Sequence, residues 1–159
     1  MKKVVLARID DRLIHGQVIT AWLKYVKADS ILIIDEDLKR NEIMQRIYKA
    51  AAPTDIDLYV EDFDGAVKFL EDEDPNNKEV IILVKIPEML EGLMEEGVDI
   101  KTIILGGMGS NQYRKQLVKN VFASSEERTC FARIIQRGVT VLYQLVPDDK
   151  AMNIESLVV

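Results

Sequence analysis

The sequence predicts an α/β fold, an open, mostly parallel twisted sheet with helices on both faces, and three observations carry that expectation. Runs such as Val4-Val5-Leu6 and Val80-Ile81-Ile82-Leu83-Val84 are continuously apolar, as strands are when both of their faces are covered. Segments with apolar residues at helical spacing separate these runs, so strand and helix alternate and imply right-handed crossovers. A length of 159 residues suits one core, and no linker or internal repeat divides it, so residues 1–159 read as a single domain.

Lys3 to Arg8 forms the first strand, at the buried centre of the sheet. After a charged loop, Val18, Ile19, Trp22, Leu23 and Val26 recur at helical spacing, which makes Gln17 to Val26 an amphipathic helix with its N-terminus at His15. Ser30 to Asp35 is the second strand, and Ile43, Met44, Ile47, Tyr48 and Ala51 mark a helix that stops before Pro53. Asp57 to Val60 is a short third strand, followed by a helix through Ala66, Val67 and Leu70. Glu71-Asp72-Glu73-Asp74-Pro75-Asn76-Asn77 has nothing to bury and reads as a solvated turn.

Glu79 to Val84 is the fourth strand, and Pro87 suits the first turn of a helix carrying Met89, Leu90, Leu93 and Met94. Thr102 to Leu105 is the fifth strand and runs into Gly106-Gly107-Met108-Gly109. Ser110 to Ala123 has a weak helical pattern and reads as a long loop with a short extended piece at Leu117 to Phe122. Ser124 with Glu127 forms a capping box for a helix carrying Phe131, Ile134 and Ile135, which ends at Gly138. Thr140 to Val146 is the last strand, and a short tail follows Pro147.

A net charge of -6 argues against a broad electrostatic grip on nucleic acid or on an anionic membrane surface. Cys130 has no partner for an internal disulfide and lies among apolar residues, so it reads as a small core residue in a reducing compartment. The apolar run after Met1-Lys2-Lys3 ends at Arg8, too soon for a signal peptide, and no run is long enough to cross a bilayer. The expectation is a cytoplasmic protein that a partner recruits if it works at a membrane.

Function concentrates in Ala7-Arg8-Ile9-Asp10-Asp11-Arg12-Leu13-Ile14-His15-Gly16-Gln17-Val18, which contains the only histidine. In open parallel sheets ligands bind beyond the carboxyl ends of the strands, and the loop after the first strand borders the switch point where strand order reverses. The helix start favours negative charge there. Arg8 and Arg12 can bracket a phosphate with planar, bidentate donors. One of Asp10 and Asp11 can hydrogen-bond a ring nitrogen of His15, fixing the tautomer and leaving the other nitrogen as a nucleophile. Gly16 lets the backbone turn tightly.

A surface loop of compensating charges explains any one of Arg8, Asp10, Asp11 and Arg12 alone. As a group beside a histidine at a helix start, they point to phosphoryl chemistry, in which positioning and charge neutralisation do most of the work. Gly106 and Gly107 either bring backbone close to the same crevice or form a plain tight turn. Lys85 and Arg114 rank low as rim charges. Gly106 to Gly109 lacks the spacing and the lysine of a phosphate-binding P-loop, so no nucleotide cofactor is indicated. A metal at Asp10, Asp11 and His15 is opposed by the two neighbouring arginines.

The stretch from Ala7 to Val18 resembles the phosphorylation-site motif of the enzyme IIB component of the mannose, fructose and sorbose class of the bacterial sugar phosphotransferase system. Leu105-Gly106-Gly107-Met108 is similar to that family's glycine turn. The resemblance implies a protein-phosphohistidine–sugar phosphotransferase in which His15, attacking through Nδ1, accepts a phosphoryl group from a phosphohistidine on a IIA component. It would pass the group to a sugar entering through membrane components IIC and IID. The same resemblance implies that Arg8 and Arg12 stabilise the transferring group, that Asp10 orients the imidazole, and that Asp11 and Gln17 shape the loop, with neither metal nor nucleotide involved. Arg114, Lys115 and Lys119 fit a docking role, and a solvated loop would look the same. The sugar is not specified, and a homo-oligomer is left open.

Two other readings of the same loop stand beside this one. A receiver-like switch would use the acidic pair as a metal site, but it wants an aspartate acceptor after the third strand and a lysine after the fifth, where this chain has Glu61-Asp62 and Gly106-Gly107. A non-covalent anion or sugar-phosphate binding module would keep the loop and never form a bond to phosphorus.

Overall fold

The computed structural model describes every residue except 74 and 77, and both belong to the acidic turn expected from Glu71 to Asn77; they lie outside the described residues. In chain order the elements are β1 (Lys3–Asp10), α1 (Gly16–Tyr25), β2 (Ser30–Ile34), α2 (Glu36–Lys39), α3 (Glu42–Ala51), β3 (Asp57–Glu61), α4 (Phe63–Glu71) and β4 (Glu79–Val84). There follow α5 (Pro87–Glu95), β5 (Thr102–Gly107), β6 (Lys115–Val118), β7 (Val121–Ala123), α6 (Ser125–Gln136), β8 (Thr140–Tyr143), β9 (Met152–Asn153) and α7 (Glu155–Val158).

The main sheet has the order β3-β2-β4-β1-β5-β8-β9. Its neighbouring strands run parallel except for the β8–β9 pair at one edge. Strand β1 therefore sits inside the sheet, between β4 and β5. After β1 the chain leaves toward β2 on one side, and after β5 it leaves toward β8 on the other. The two loops diverge at the carboxyl ends of adjacent strands, which opens the crevice expected at a switch point.

Side chains alternate across each strand, and here both faces are covered, which is why the strands read as unbroken apolar runs. Leu6, Ile31, Ile33, Ile81, Leu83 and Ile104 pack on one face against Ile19 and Trp22 of α1 and Leu38 of α2. Ala7, Ile9, Leu32, Ile34, Ile82, Val84, Ile103 and Leu105 pack on the other against Leu70 of α4, Leu90 and Leu93 of α5, and Phe131 and Ile134 of α6. Each large apolar side chain buried in this way contributes about 1.5–3 kcal/mol. The expected single-domain, mostly parallel α/β architecture with helices on both faces is borne out.

Local signals set the helix starts. Asn41 caps α3 through the Met44 N–H at 3.1 Å, Asp62 caps α4 through the Gly65 N–H at 2.8 Å, and Pro87 opens α5. Ser124 and Glu127 make the capping box expected of them at the start of α6.

Several boundaries differ from the expectation for identifiable reasons. Strand β1 continues two residues past Arg8, through Ile9 and Asp10, because the Asp10 charge is buried against cations rather than solvated. Asp35 leaves β2 to cap α2, a helix of one turn with too few residues to show a period. Residues 110–123 are not a long loop with one extended piece: β6 and β7 form an antiparallel hairpin. Met108 anchors it, donating to Asn120 O at 3.0 Å and accepting from the Phe122 N–H at 2.9 Å. The last parallel strand stops at Tyr143 instead of Val146, since the Gln144 side chain donates to the carbonyls of Pro147 and Asp149 at 3.1 and 3.0 Å and closes a turn. The tail folds back as β9 and α7, burying Ile154 completely. Among the described residues, no helix is long and apolar enough to cross a membrane.

Cys130 occupies the core as expected, with no exposed surface, and its Sγ lies 3.5 Å from Glu91 Oε1. Burial, reinforced by the charges of Glu91 and Glu88, pushes its thiol up to about 12. At roughly pH 8, near the pKa of an ordinary thiol, a thiol reagent should therefore label this protein only on unfolding. Rapid labelling of the folded chain would contradict that.

Candidate functional site

Strand β1 delivers Asp10 to the end of the sheet opposite Gly107 of β5, and the Asp11 N–H donates to the Gly107 carbonyl at 3.1 Å. The chain then reverses, with the Leu13 N–H on the Asp10 carbonyl at 2.9 Å. Leu13 is only 2% exposed, its side chain in the core, and its backbone takes φ 57°. A left-handed non-glycine residue stores about 1–3 kcal/mol of strain, and such strain clusters at functional loops. His15 follows in an extended conformation as the N-cap of α1, and Gly16 takes φ 47°. Glycine adopts that angle freely, so it lets the chain turn from the histidine directly into the helix.

Asp10 is the hub of the loop. Its Oδ2 accepts from Arg8 Nη1 at 3.1 Å and Arg12 Nη2 at 2.9 Å, and lies 3.0 Å from His15 Nε2. Its Oδ1 accepts from the Arg12 backbone N–H and from Arg12 Nε, both at 3.0 Å. Burial alone would raise the Asp10 carboxyl, but the hydrogen bonds from Arg12 and the positive charges around it outweigh burial and hold it below the usual carboxylate range. Asp10 is therefore an anion with nothing to donate, so the proton of a neutral His15 ring sits on Nε2. Nδ1 is left with its lone pair.

Burial pulls the His15 pKa below its usual value, and Arg12 and Arg8 add to the effect while Asp10 opposes it. The ring is thus neutral and nucleophilic at pH 7. A lowered folded-state pKa means that the unfolded chain binds the proton more readily, so this contribution to stability is present above the ordinary imidazole value of 6.5 and is lost as pH falls through the folded value. With a single histidine in the chain, an imidazole NMR titration is unambiguous. Its midpoint should fall below 6.5; a midpoint above it would mean that Asp10 dominates the ring.

The two arginines divide their work. Arg12 has a side chain 49% exposed and faces the crevice mouth. Arg8 is 1% exposed, beneath Asp10, and its Nη2 donates to the Leu145 carbonyl at 3.0 Å. The Arg8 guanidinium meets the Asp10 carboxylate and the Leu145 carbonyl, whereas Arg12 is the exposed one of the pair. The same Leu145 carbonyl accepts from Trp22 Nε1 at 2.9 Å. A backbone atom so far along the chain leaves no local signal in the sequence.

Gly106 and Gly107 belong to β5 and do not form a tight turn. A Cβ on Gly106 would overlap Arg8 Nη2 and lie 2.6 Å from Arg8 Cζ and 2.7 Å from Asp10 Oδ2, so the missing side chain is the space that the ion pair occupies. A Cβ on Gly107 would lie 3.3 Å from Arg12 Nη2. Asp11 turns away from His15 and accepts from the Gly109 N–H at 2.6 Å, so the acidic pair is split and only Asp10 touches the ring. Gln17 is exposed on the first turn of α1. Lys85 pairs with Asp35 at 3.6 Å and Arg114 with Glu127 at 2.7 Å, so neither is a free rim charge, whereas Lys115 and Lys119 are exposed on the hairpin.

Together these residues offer a neutral nitrogen nucleophile, an exposed guanidinium beside it and a helix start behind it, a combination suited to an anion carried on the ring. The Asp10 carboxylate, already engaged by two guanidinium groups, is a poor ligand for the cation that a receiver-like switch requires.

Residues 4–159 match the family described as the PTS system sorbose subfamily IIB component. A fructose-specific EIIB component from Bacillus subtilis is 30% identical over 149 residues, spanning 94% of this chain and 91% of that protein. A sorbose-specific EIIB component from Klebsiella pneumoniae is 32% identical over 152 residues, spanning 96% and 93%. The solved structure of the IIBSor domain of the Klebsiella pneumoniae sorbose permease superposes with a TM-score of 0.93, covering 98% of this chain and 95% of that one at 32% identity. With sequence, fold and family in agreement, this chain belongs to the sorbose-subfamily IIB components of the sugar phosphotransferase system, which are sugar phosphotransferases.

Proposed function

We infer that this chain is a phosphoryl carrier that takes phosphate onto His15 Nδ1 from a phosphohistidine of a IIA protein and hands it to a sugar entering through membrane components IIC and IID. The observation that carries the reading is the 3.0 Å contact between His15 Nε2 and Asp10 Oδ2, which leaves Nδ1 as the free nitrogen. In the first step the Nδ1 lone pair attacks phosphorus, a new N–P bond forms, and the donor's N–P bond breaks with its electron pair returning to the donor imidazole. Arg12 lies beside the group as it moves, and the first turn of α1 supplies backbone N–H groups and the positive end of its dipole. In the second step a sugar hydroxyl oxygen attacks phosphorus and gives up its proton to solvent, the N–P bond breaks, and Nδ1 recovers its lone pair. Arg8, Asp11 and Gly106 act behind this chemistry by fixing Asp10 and the loop. The carrier works in the cytoplasm, drawn to the inner face of the membrane by its partners.

His15→Gln should abolish transfer of labelled phosphate from the IIA donor, while the folded structure is retained because the side chain is partly exposed. The label on the unaltered protein should be lost in acid, as expected of a phosphohistidine. Retained labelling of His15→Gln would overturn the reading, and an unlabelled native chain would favour a non-covalent anion-binding module.

A further inference from the structure

The loop after β5 is tied to the histidine loop and to α6 by one continuous set of hydrogen bonds. Glu127, placed by the α6 capping box, accepts from Arg114 in bidentate fashion, Nε to Oε1 at 2.8 Å and Nη2 to Oε2 at 2.7 Å. Arg114 Nη1 donates to the Gly109 carbonyl at 2.9 Å, and the Gly109 N–H donates to Asp11 Oδ2 at 2.6 Å. Asp11 adjoins Asp10, which holds both His15 and Arg12. The Arg114 and Glu127 side chains are 13% and 9% exposed, so the pair is largely removed from water and its geometry is fixed more firmly than that of a surface ion pair. Burial alone would raise the Glu127 carboxyl, but the Arg114 hydrogen bonds outweigh it, so Glu127 stays charged.

We propose that Arg114 and Glu127 are positioning residues for His15: their ion pair fixes Gly109, Gly109 fixes Asp11, and Asp11 fixes the turn on which Asp10 presents its carboxylate to the ring. Neither residue touches the transferring group. The proposal rests on the phosphoryl-carrier reading for its kinetic consequence, whereas its structural consequence, the setting of the His15 ring, does not.

The test uses the full chain with Glu127→Gln, Arg114→Gln, Asp11→Ala and Asp11→Asn. Glutamine still serves in a capping box, so Glu127→Gln keeps the start of α6 while losing the bidentate acceptor. In both clamp variants the His15 ring nitrogen resonances should move from the pure Nε2–H pattern toward a tautomer mixture. The kcat for transfer should fall roughly tenfold to a hundredfold, as misplacement by a fraction of an ångström does, with KM for the phosphodonor unchanged. Asp11→Asn keeps an oxygen for the Gly109 N–H and should recover part of what Asp11→Ala loses. Asp11→Ala combined with Arg114→Gln should be no slower than the slower single variant, because both cut one tether. Folded clamp variants with native ring resonances and native kcat would overturn the proposal. A native chain that takes up no phosphate would overturn the carrier reading instead, and the ring resonances would still decide the tether.

Discussion

Asp10→Asn is expected to cut phosphoryl transfer by roughly three to four orders of magnitude, the loss seen when the carboxylate that sets a catalytic imidazole's tautomer becomes an amide. Asparagine fits the space, but its amide can turn an N–H toward His15 Nε2. That reverses the contact now made at 3.0 Å and drives the ring proton onto Nδ1, the nitrogen that must be free. The same change removes the carboxylate paired with the buried Arg8 guanidinium, whose Nε has no hydrogen-bond partner among the described residues. Breaking a buried pair from one side typically costs about 3–5 kcal/mol. Transfer kinetics and thermal unfolding should both register the loss. A variant with near-native transfer would show that the ring is oriented by something other than Asp10.

Gly106→Ala should be nearly as damaging, although a methyl group is all that it adds. The new Cβ would overlap Arg8 Nη2 and stand 2.6 Å from Arg8 Cζ and 2.7 Å from Asp10 Oδ2. Arg8 cannot swing aside, because it is 1% exposed and held on the Leu145 carbonyl. Overpacking of this kind costs about 1–3 kcal/mol, and here the displaced atoms are those that hold Asp10 against His15, so transfer should fall along with stability. Gly107→Ala is the milder comparison. Its Cβ would meet the end of Arg12 at 3.3 Å, and that flexible side chain, half exposed, can give way. Equal, small effects at the two positions would contradict this account of the glycine pair.

The strands that form the core were legible because their apolar runs need no partner information, and the histidine loop was legible because its residue types and spacing carry a family resemblance. What the sequence hid were the consequences of contacts between distant residues. Asp10 reads as a loop residue, since a charged side chain normally ends a buried strand; only its burial against Arg8 and Arg12 makes it the last residue of β1. Arg8 and Arg12 look equivalent in sequence, but alternation across β1 turns Arg8 beneath the sheet end and the reversal after Asp11 brings Arg12 out. Gly106 and Gly107 suggest a turn because two glycines usually do, whereas here they vacate space for side chains of the neighbouring strand. The β6–β7 hairpin leaves a weak sequence signal because its strands are short, β6 has no fully buried residue, and the pair depends on Met108 for an anchor.

With Asp10 occupying Nε2, a phosphoryl group on His15 is expected on Nδ1. Long-range nitrogen–proton correlation of the imidazole, recorded on the native chain after phosphorylation by its IIA donor, reads the position of the N–P bond directly. The bond should be found at Nδ1 of His15, with Nε2 protonated and still facing Asp10. Phosphate on Nε2, or on any residue other than His15, would contradict the account.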